Sequence, residues 1–189
     1  RFNDSDYHMP QLPGAATEAR AVARAFRASA LVGAGATSAA VRSRLEASPR
    51  YLHFATHGLA DFEEVRSNRG FIALANGDRL TLEDVRAMRI ANGAVVVLSA
   101  CQTGLGASRP GGVVGLPRAF AIAGAQTVIM SLWNVDDEAT GHLMTGFAQQ
   151  LEATGRPAVA FAAAVRNTRA IHPDPRLWGS FEVFGAGQP

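Results

Sequence analysis

The sequence predicts an α/β domain with a mostly parallel central sheet covered by helices on both faces. Three observations carry this. Apolar runs at Tyr51–Thr56, Phe71–Ala75, Ala94–Ser99 and Thr127–Trp133 have the length and the β-branched or aromatic content of buried strands. Helical patterns alternate with them, and such alternation gives right-handed crossovers and parallel pairing. With 48% apolar and 18% charged residues among 189, the chain can bury one good core, which predicts one domain.

Residues 1–13, with Pro10 and Pro13, read as a lead-in, and residues 14–189 as the domain. The chain begins at Arg1 and shows no signal-peptide pattern, so it reads as a piece of a longer protein. Ala19, Val22, Ala23, Phe26 and Ala30 share a helix face that Gly33 and Gly35 are expected to end. A shorter helix from Ser38 carries Val41 and Leu45 and stops at Ser48-Pro49, because a residue before proline resists the helical region. Phe71–Ala75 ends in the turn Asn76-Gly77-Asp78, and Thr81 is placed to cap a short helix through Met88. Ala94–Ser99 is the most apolar run and belongs at the centre of a sheet of about five or six strands.

A glycine-dense connection follows from Gly104 to Gly115, and a helix then runs from Pro117 to Gly124, with proline in its first turn and glycine past its last. After the strand Thr127–Trp133, Asp136 or Asp137 caps a helix carrying Leu143, Met144, Phe147 and Leu151 and closed by Gly155. Pro157 opens the last helix, and Phe181–Phe184 forms the last strand.

Composition removes several function classes. The uncharged stretch from Ala91 to Ser108 is broken by Gly93 and Gly104, so it reads as a strand between turns and not as a membrane span. A net charge of +2 with dispersed arginines leaves little footprint for nucleic acid. One cysteine excludes a disulfide framework and a multi-thiolate zinc module, and it points to the reducing cytoplasm. Gly104-Leu105-Gly106 lacks the third glycine of a dinucleotide fingerprint, and there is no phosphate loop or nucleophile elbow.

The chemistry then rests on the ends of two strands. Cys101 follows the run Ala94–Ser99, and His57-Gly58 closes the run that starts at Tyr51. Open α/β sheets bind ligands beyond the carboxyl ends of their strands, so thiol and imidazole can meet there. A thiol attacks as thiolate and needs a proton acceptor, a role that suits His57. The N–H groups of Gly58 and Cys101 are candidate oxyanion donors. The competing reading makes Cys101 a small buried apolar residue and His57-Gly58 a turn. His53, deeper in the first strand, reads as a hydrogen-bonded core residue.

The strings Tyr51-Leu52-His53-Phe54-Ala55-Thr56-His57-Gly58, Leu98-Ser99-Ala100-Cys101-Gln102-Thr103-Gly104, Gly115-Leu116-Pro117-Arg118-Ala119-Phe120 and Ser131-Leu132-Trp133-Asn134-Val135-Asp136-Asp137 closely resemble the CHAT domain. Leu12-Pro13-Gly14-Ala15 and Pro175-Arg176-Leu177-Trp178-Gly179 also fit its pattern. This caspase-like family is related to separase and is often found behind tetratricopeptide repeats in bacteria. The resemblance implies a caspase-like three-layer sandwich and a cysteine endopeptidase with a dyad of His57 and Cys101, Gly58 serving as oxyanion donor. No cofactor or metal is implied. The implied partners are a protein or peptide substrate and a tetratricopeptide or other sensor region on the same polypeptide, without nucleic acid or membrane. In separase-like relatives an aspartate of the tryptophan-valine-aspartate segment helps hold a basic residue before the scissile bond. Carried over, this makes Asp136 and Asp137 substrate-binding; as first-turn residues they otherwise simply cap a helix. Relatives also carry more sheet before the Leu-Pro-Gly-Ala segment.

Two rivals remain. One is a caspase-like scaffold that binds partners without cleaving them. The other, more remote, is a glutamine amidotransferase-like hydrolase, suggested by Cys101 after a strand with His172-Pro173-Asp174 downstream; Ser99 stands where that family needs a tight-turn glycine.

Overall fold

The computed structural model describes residues 9, 12–59, 70–99, 108–109, 112–113, 115–133 and 136–185. In chain order the elements are α1 (Ala15–Ala25), α2 (Ser38–Leu45), β1 (Tyr51–Ala55), β2 (Gly58–Leu59), β3 (Phe71–Ala73), β4 (Arg79–Thr81), α3 (Leu82–Ala87) and β5 (Ala94–Ser99). They continue as β6 (Ser108–Arg109), β7 (Gly112–Val113), α4 (Leu116–Ile122), β8 (Ala125–Ser131), α5 (Asp137–Thr154), α6 (Pro157–Ile171) and β9 (Phe181–Gly185). Among the described residues no helix is long and apolar enough to cross a membrane.

The central sheet has four strands in the order β1-β5-β8-β9. β1, β5 and β8 run parallel, and β9 closes one side antiparallel to β8. β5, buried at all six positions, sits between β1 and β8 as its apolar run requires. Alternate residues of β5 and β8 serve opposite faces. Val95, Val97 and Ile129 pack with Val22 of α1 and the apolar stripes of α5 and α6. Val96, Leu98, Val128 and Met130 pack with residues of α3 and α4, and Val41 and Leu45 of α2 join that side. The result is a three-layer α/β sandwich.

Local chemistry explains most boundaries. Thr37 Oγ1 accepts from Ala40 N at the start of α2. Thr81 and Asp84 form a reciprocal capping box on α3, and the Thr81 hydroxyl, with Arg42 beside it, holds the Asp84 carboxyl below the usual carboxylate range despite partial burial. Asp136 caps α5, accepting from Glu138 N and Ala139 N, and left-handed Gly155 ends it. Between α4 and β8, Gly124 has φ +117°, and a Cβ there would stand 2.6 Å from the Ile90 carbonyl, so only glycine fits this close approach.

Several expectations are corrected. The central sheet has four strands among the described residues, fewer than about five or six, because Phe71–Ala73 joins a separate antiparallel sheet ordered β2-β3-β4. The reason is local: Asn76 and Gly77 both take positive φ, and such a turn folds β3 straight back on β4. Trp133 lies past the end of β8 and is 42% exposed, with its Nε1–H donating to the Arg176 carbonyl. Helix α1 stops at Ala25, well before Gly33. Arg27 itself takes the left-handed conformation, φ 53°, while Ala28 N bonds Ala23 O and Arg27 N bonds Arg24 O. This is a Schellman ending with arginine where glycine is usual. A left-handed non-glycine residue costs at least about 1 kcal/mol, partly offset by glycine's greater unfolded-state entropy. Arg27→Gly is therefore expected to raise stability by about 0.5 kcal/mol, read as a rise of one or two degrees in the thermal midpoint.

Candidate active site

The site is built by the parallel pairing of β1 and β5. Their register runs from Tyr51↔Val95 to Ala55↔Ser99, so both strands finish level at one edge of the sheet. His57 follows Ala55 by two residues, and in the sequence Cys101 follows Ser99 by two. Cys101 lies outside the described residues, as do the connection residues Gly104, Gly106 and Gly111, and Asn134. Ser99 is buried at the strand end, and its Oγ has no hydrogen-bond partner among the described residues.

His57 is half-buried and lies where the chain leaves the central sheet for the small one. Its carbonyl accepts from Ala73 N at 2.9 Å, and the Thr56 hydroxyl donates to the Ala73 carbonyl at 2.8 Å. These two bonds fix the exit of β1. They also orient Gly58. In an antiparallel ladder, opposed pairs alternate between exchanging hydrogen bonds and exchanging none. His57 is bonded to Ala73, so the next pair, Gly58↔Ile72, is of the second kind, and the Gly58 N–H points away from β3. The ladder thus leaves aimed outward the Gly58 amide, one of the two named as candidate oxyanion donors.

His53 has a different role. Its Nε2 lies 2.6 Å from Glu18 Oε1 and its Nδ1 3.0 Å from the Tyr51 hydroxyl, and both the His53 and Glu18 side chains are nearly inaccessible. Burial, and then the Glu18 carboxylate, push the Tyr51 hydroxyl well above its ordinary value. Tyr51 therefore stays a proton donor, able to donate to Nδ1 while Nε2–H donates to Glu18. The chain Tyr51–His53–Glu18 pins β1 to α1, and His53 is structural, as read from its depth in the strand. Strand alternation would put His53 and His57 on one face. β1 ends at Ala55, however, so that alternation stops before His57.

Asp136 and Asp137 start α5 just beyond the carboxyl end of β8, on the same edge as His57. Asp136 Oδ1 is engaged by the cap, and Asp137 Oδ2 accepts from Gly14 N at 3.0 Å. A Cβ at Gly14 would stand 2.7 Å from Asp137 Cβ, which explains a glycine in the Leu12-Pro13-Gly14 segment. Both aspartates are exposed and carry structural bonds.

The family model for the CHAT domain matches residues 2–186, nearly the whole chain. The chain belongs to the CHAT-domain family. This is a caspase-like, peptidase-related family, and the three-layer sandwich with parallel β1, β5 and β8 agrees with it. A comparison with curated proteins gave no match.

In this CHAT domain β1 is an edge strand of the described sheet, and a groove of about 1010 Å³ runs along it, lined by Val22, Phe26, Leu31, Leu45 and Leu52 among others. The groove reaches Thr56, and His57 is not among its lining residues, so this hollow follows the open sheet edge. The amidotransferase arrangement would need His172 held by Asp174. Instead the Asp174 carboxylate binds the Arg176 guanidinium, which holds its carboxyl below the usual range, and the His172 ring faces His142. Sequence reasoning missed Glu18 as partner of His53, and it missed the meeting of His142 with His172. Helical spacing of Glu138 and His142 was the one available signal for the latter.

Proposed function

We propose that this CHAT domain is a cysteine endopeptidase in which Cys101 is the nucleophile and His57 its proton carrier. The level ending of β1 and β5 carries the reading. Adjacent strands lie about 4.8 Å apart and two residues reach at most about 7 Å, so His57 and Cys101 both leave from one small stretch of sheet edge. His57 takes the thiol proton, and the sulfur attacks the scissile carbonyl carbon. The Gly58 N–H, joined by that of Cys101, donates to the developing oxyanion. Collapse to the thioester breaks the C–N bond, with the proton on His57 passing to the leaving amine. His57 then deprotonates a water that hydrolyses the thioester and regenerates the thiol.

The substrate is a protein segment, with a basic residue before the scissile bond. This preference rests on Asp136 and Asp137, at the start of α5 and at the same sheet edge. A sensor region on the same polypeptide is the proposed regulator, in keeping with the company CHAT domains keep.

The test is a panel of peptidyl acyloxymethyl ketones that differ only at the residue before the reactive group. Mass spectrometry is expected to find Cys101 alkylated, fastest with arginine or lysine, and to find no alkylation in His57→Ala. Absence of reaction with every member would favour the non-cleaving scaffold. Faster reaction with aspartate would remove the acidic pocket, and dependence on His172 would favour the amidotransferase reading.

A further inference from the structure

We propose that Glu138, His142 and His172 form a binding site for a divalent first-row transition-metal ion, zinc above all. One ligand atom from each lies within 4.8 Å of the others. His142 Nδ1 and His172 Nε2 face each other at 2.9 Å, with ring centroids 5.2 Å apart and planes inclined at 38°. Metal–nitrogen bonds of about 2.0–2.1 Å in tetrahedral geometry place two donor atoms about 3.3 Å apart. The rings therefore need to part by only a few tenths of an ångström to share an ion. Two imidazoles and a carboxylate form a donor set that suits zinc, nickel or copper and discriminates against calcium and magnesium, which take oxygen ligands.

The backbone holds the three residues ready. Glu138 and His142 are four apart on α5, so they share a face one turn apart. The opposite side of that turn is anchored by buried Ala139, Leu143 and Met144. His172 ends α6, where its N–H bonds the Thr168 carbonyl at 2.8 Å and its own carbonyl accepts from Trp178 Nε1 at 3.0 Å. The extensive packing of α5 on α6 brings together residues 30 apart in sequence. As a plain hydrogen bond on an exposed surface, a His–His contact competes with water and contributes little. Both rings can instead turn lone pairs to one point. Glu138 and His142 are exposed and His172 half-buried, so an ion enters without any opening of the fold and keeps water in its fourth position. Counting thiols excluded only a multi-thiolate zinc module, and this site uses no thiol. An ion here would fasten the first turn of α5 to the segment after α6.

The test uses the 189-residue chain carrying Cys101→Ser, so that the thiol cannot be the ligand, stripped with chelator and titrated with zinc by calorimetry. One ion per chain is expected, with a rise in thermal midpoint that chelator reverses. His142→Ala and His172→Ala should each weaken binding by at least the roughly 10–100-fold that outer-shell changes typically cost, and Glu138→Gln should weaken it also. Midpoints in chelator establish that each variant is folded. Cobalt in place of zinc should give visible bands from nitrogen and oxygen ligation in chains with and without Cys101, lacking a thiolate charge-transfer band. Affinity unchanged in folded His142→Ala and His172→Ala, or no binding once Cys101 is serine, would overturn the assignment.

Discussion

His57→Ala is expected to lower kcat/KM for the best basic peptide by about 10²–10⁴-fold, the usual worth of a positioned acid–base group. It should leave the thermal midpoint close to that of the parent chain. The separation follows from the geometry. The bond that fixes the exit of β1 is made by the His57 carbonyl, which alanine keeps, and Thr56 still donates to Ala73. Gly58 therefore stays aimed away from β3, and what disappears is the imidazole alone. Cys101→Ala removes the nucleophile and should abolish turnover outright. Fluorogenic peptide turnover beside calorimetric melting checks the pair. Near-parent turnover in folded His57→Ala would show that the imidazole does not carry the proton.

Glu18→Ala should do the reverse, lowering stability by about 3–5 kcal/mol, because truncating one partner of a buried polar pair strands the other without solvent. For a chain of this length that is a fall of roughly 6–20 °C in the thermal midpoint. The loss arises in three places: the His53 Nε2 group loses its 2.6 Å partner, the Tyr51 hydroxyl loses the far end of its hydrogen-bonded chain, and α1 loses a polar tie to β1. Glu18→Gln keeps an acceptor and should lose much less. Replacing all three by apolar residues of similar volume, Glu18→Met with His53→Leu and Tyr51→Phe, should recover most of the loss. Denaturant midpoints measure each step, and a cost below about 1 kcal/mol for Glu18→Ala would mean that the pair is hydrated and not buried.

How much of this was legible in the sequence depended on how local the cause was. Ala94–Ser99 was readable as the central strand because five apolar residues in a row, Ala94 to Leu98, leave a strand nowhere else to go. The helix after Thr127–Trp133 was readable because its cap and stop, Asp136 and Gly155, are written within it. The end of α1 was not, because a left-handed Arg27 replaces the glycine that would have marked it. Phe71–Ala75 was read as another strand of the sheet, since a short apolar run does not say which sheet it joins, and its first three residues pair in the small one. The same rule holds at the candidate site. His57-Gly58 at a strand end was visible, while Glu18 with His53 and His142 with His172 depend on contacts 35 and 30 residues apart that only the packing of α1 on β1 and of α5 on α6 creates.

His57 is covalently the continuation of the large sheet and, through Ala73, a member of the small one. It stands at a joint. Were the β2–β4 hairpins to tilt, base and oxyanion amide would travel together like two tools on one arm, their spacing preserved and their reach toward the tip of β5 altered.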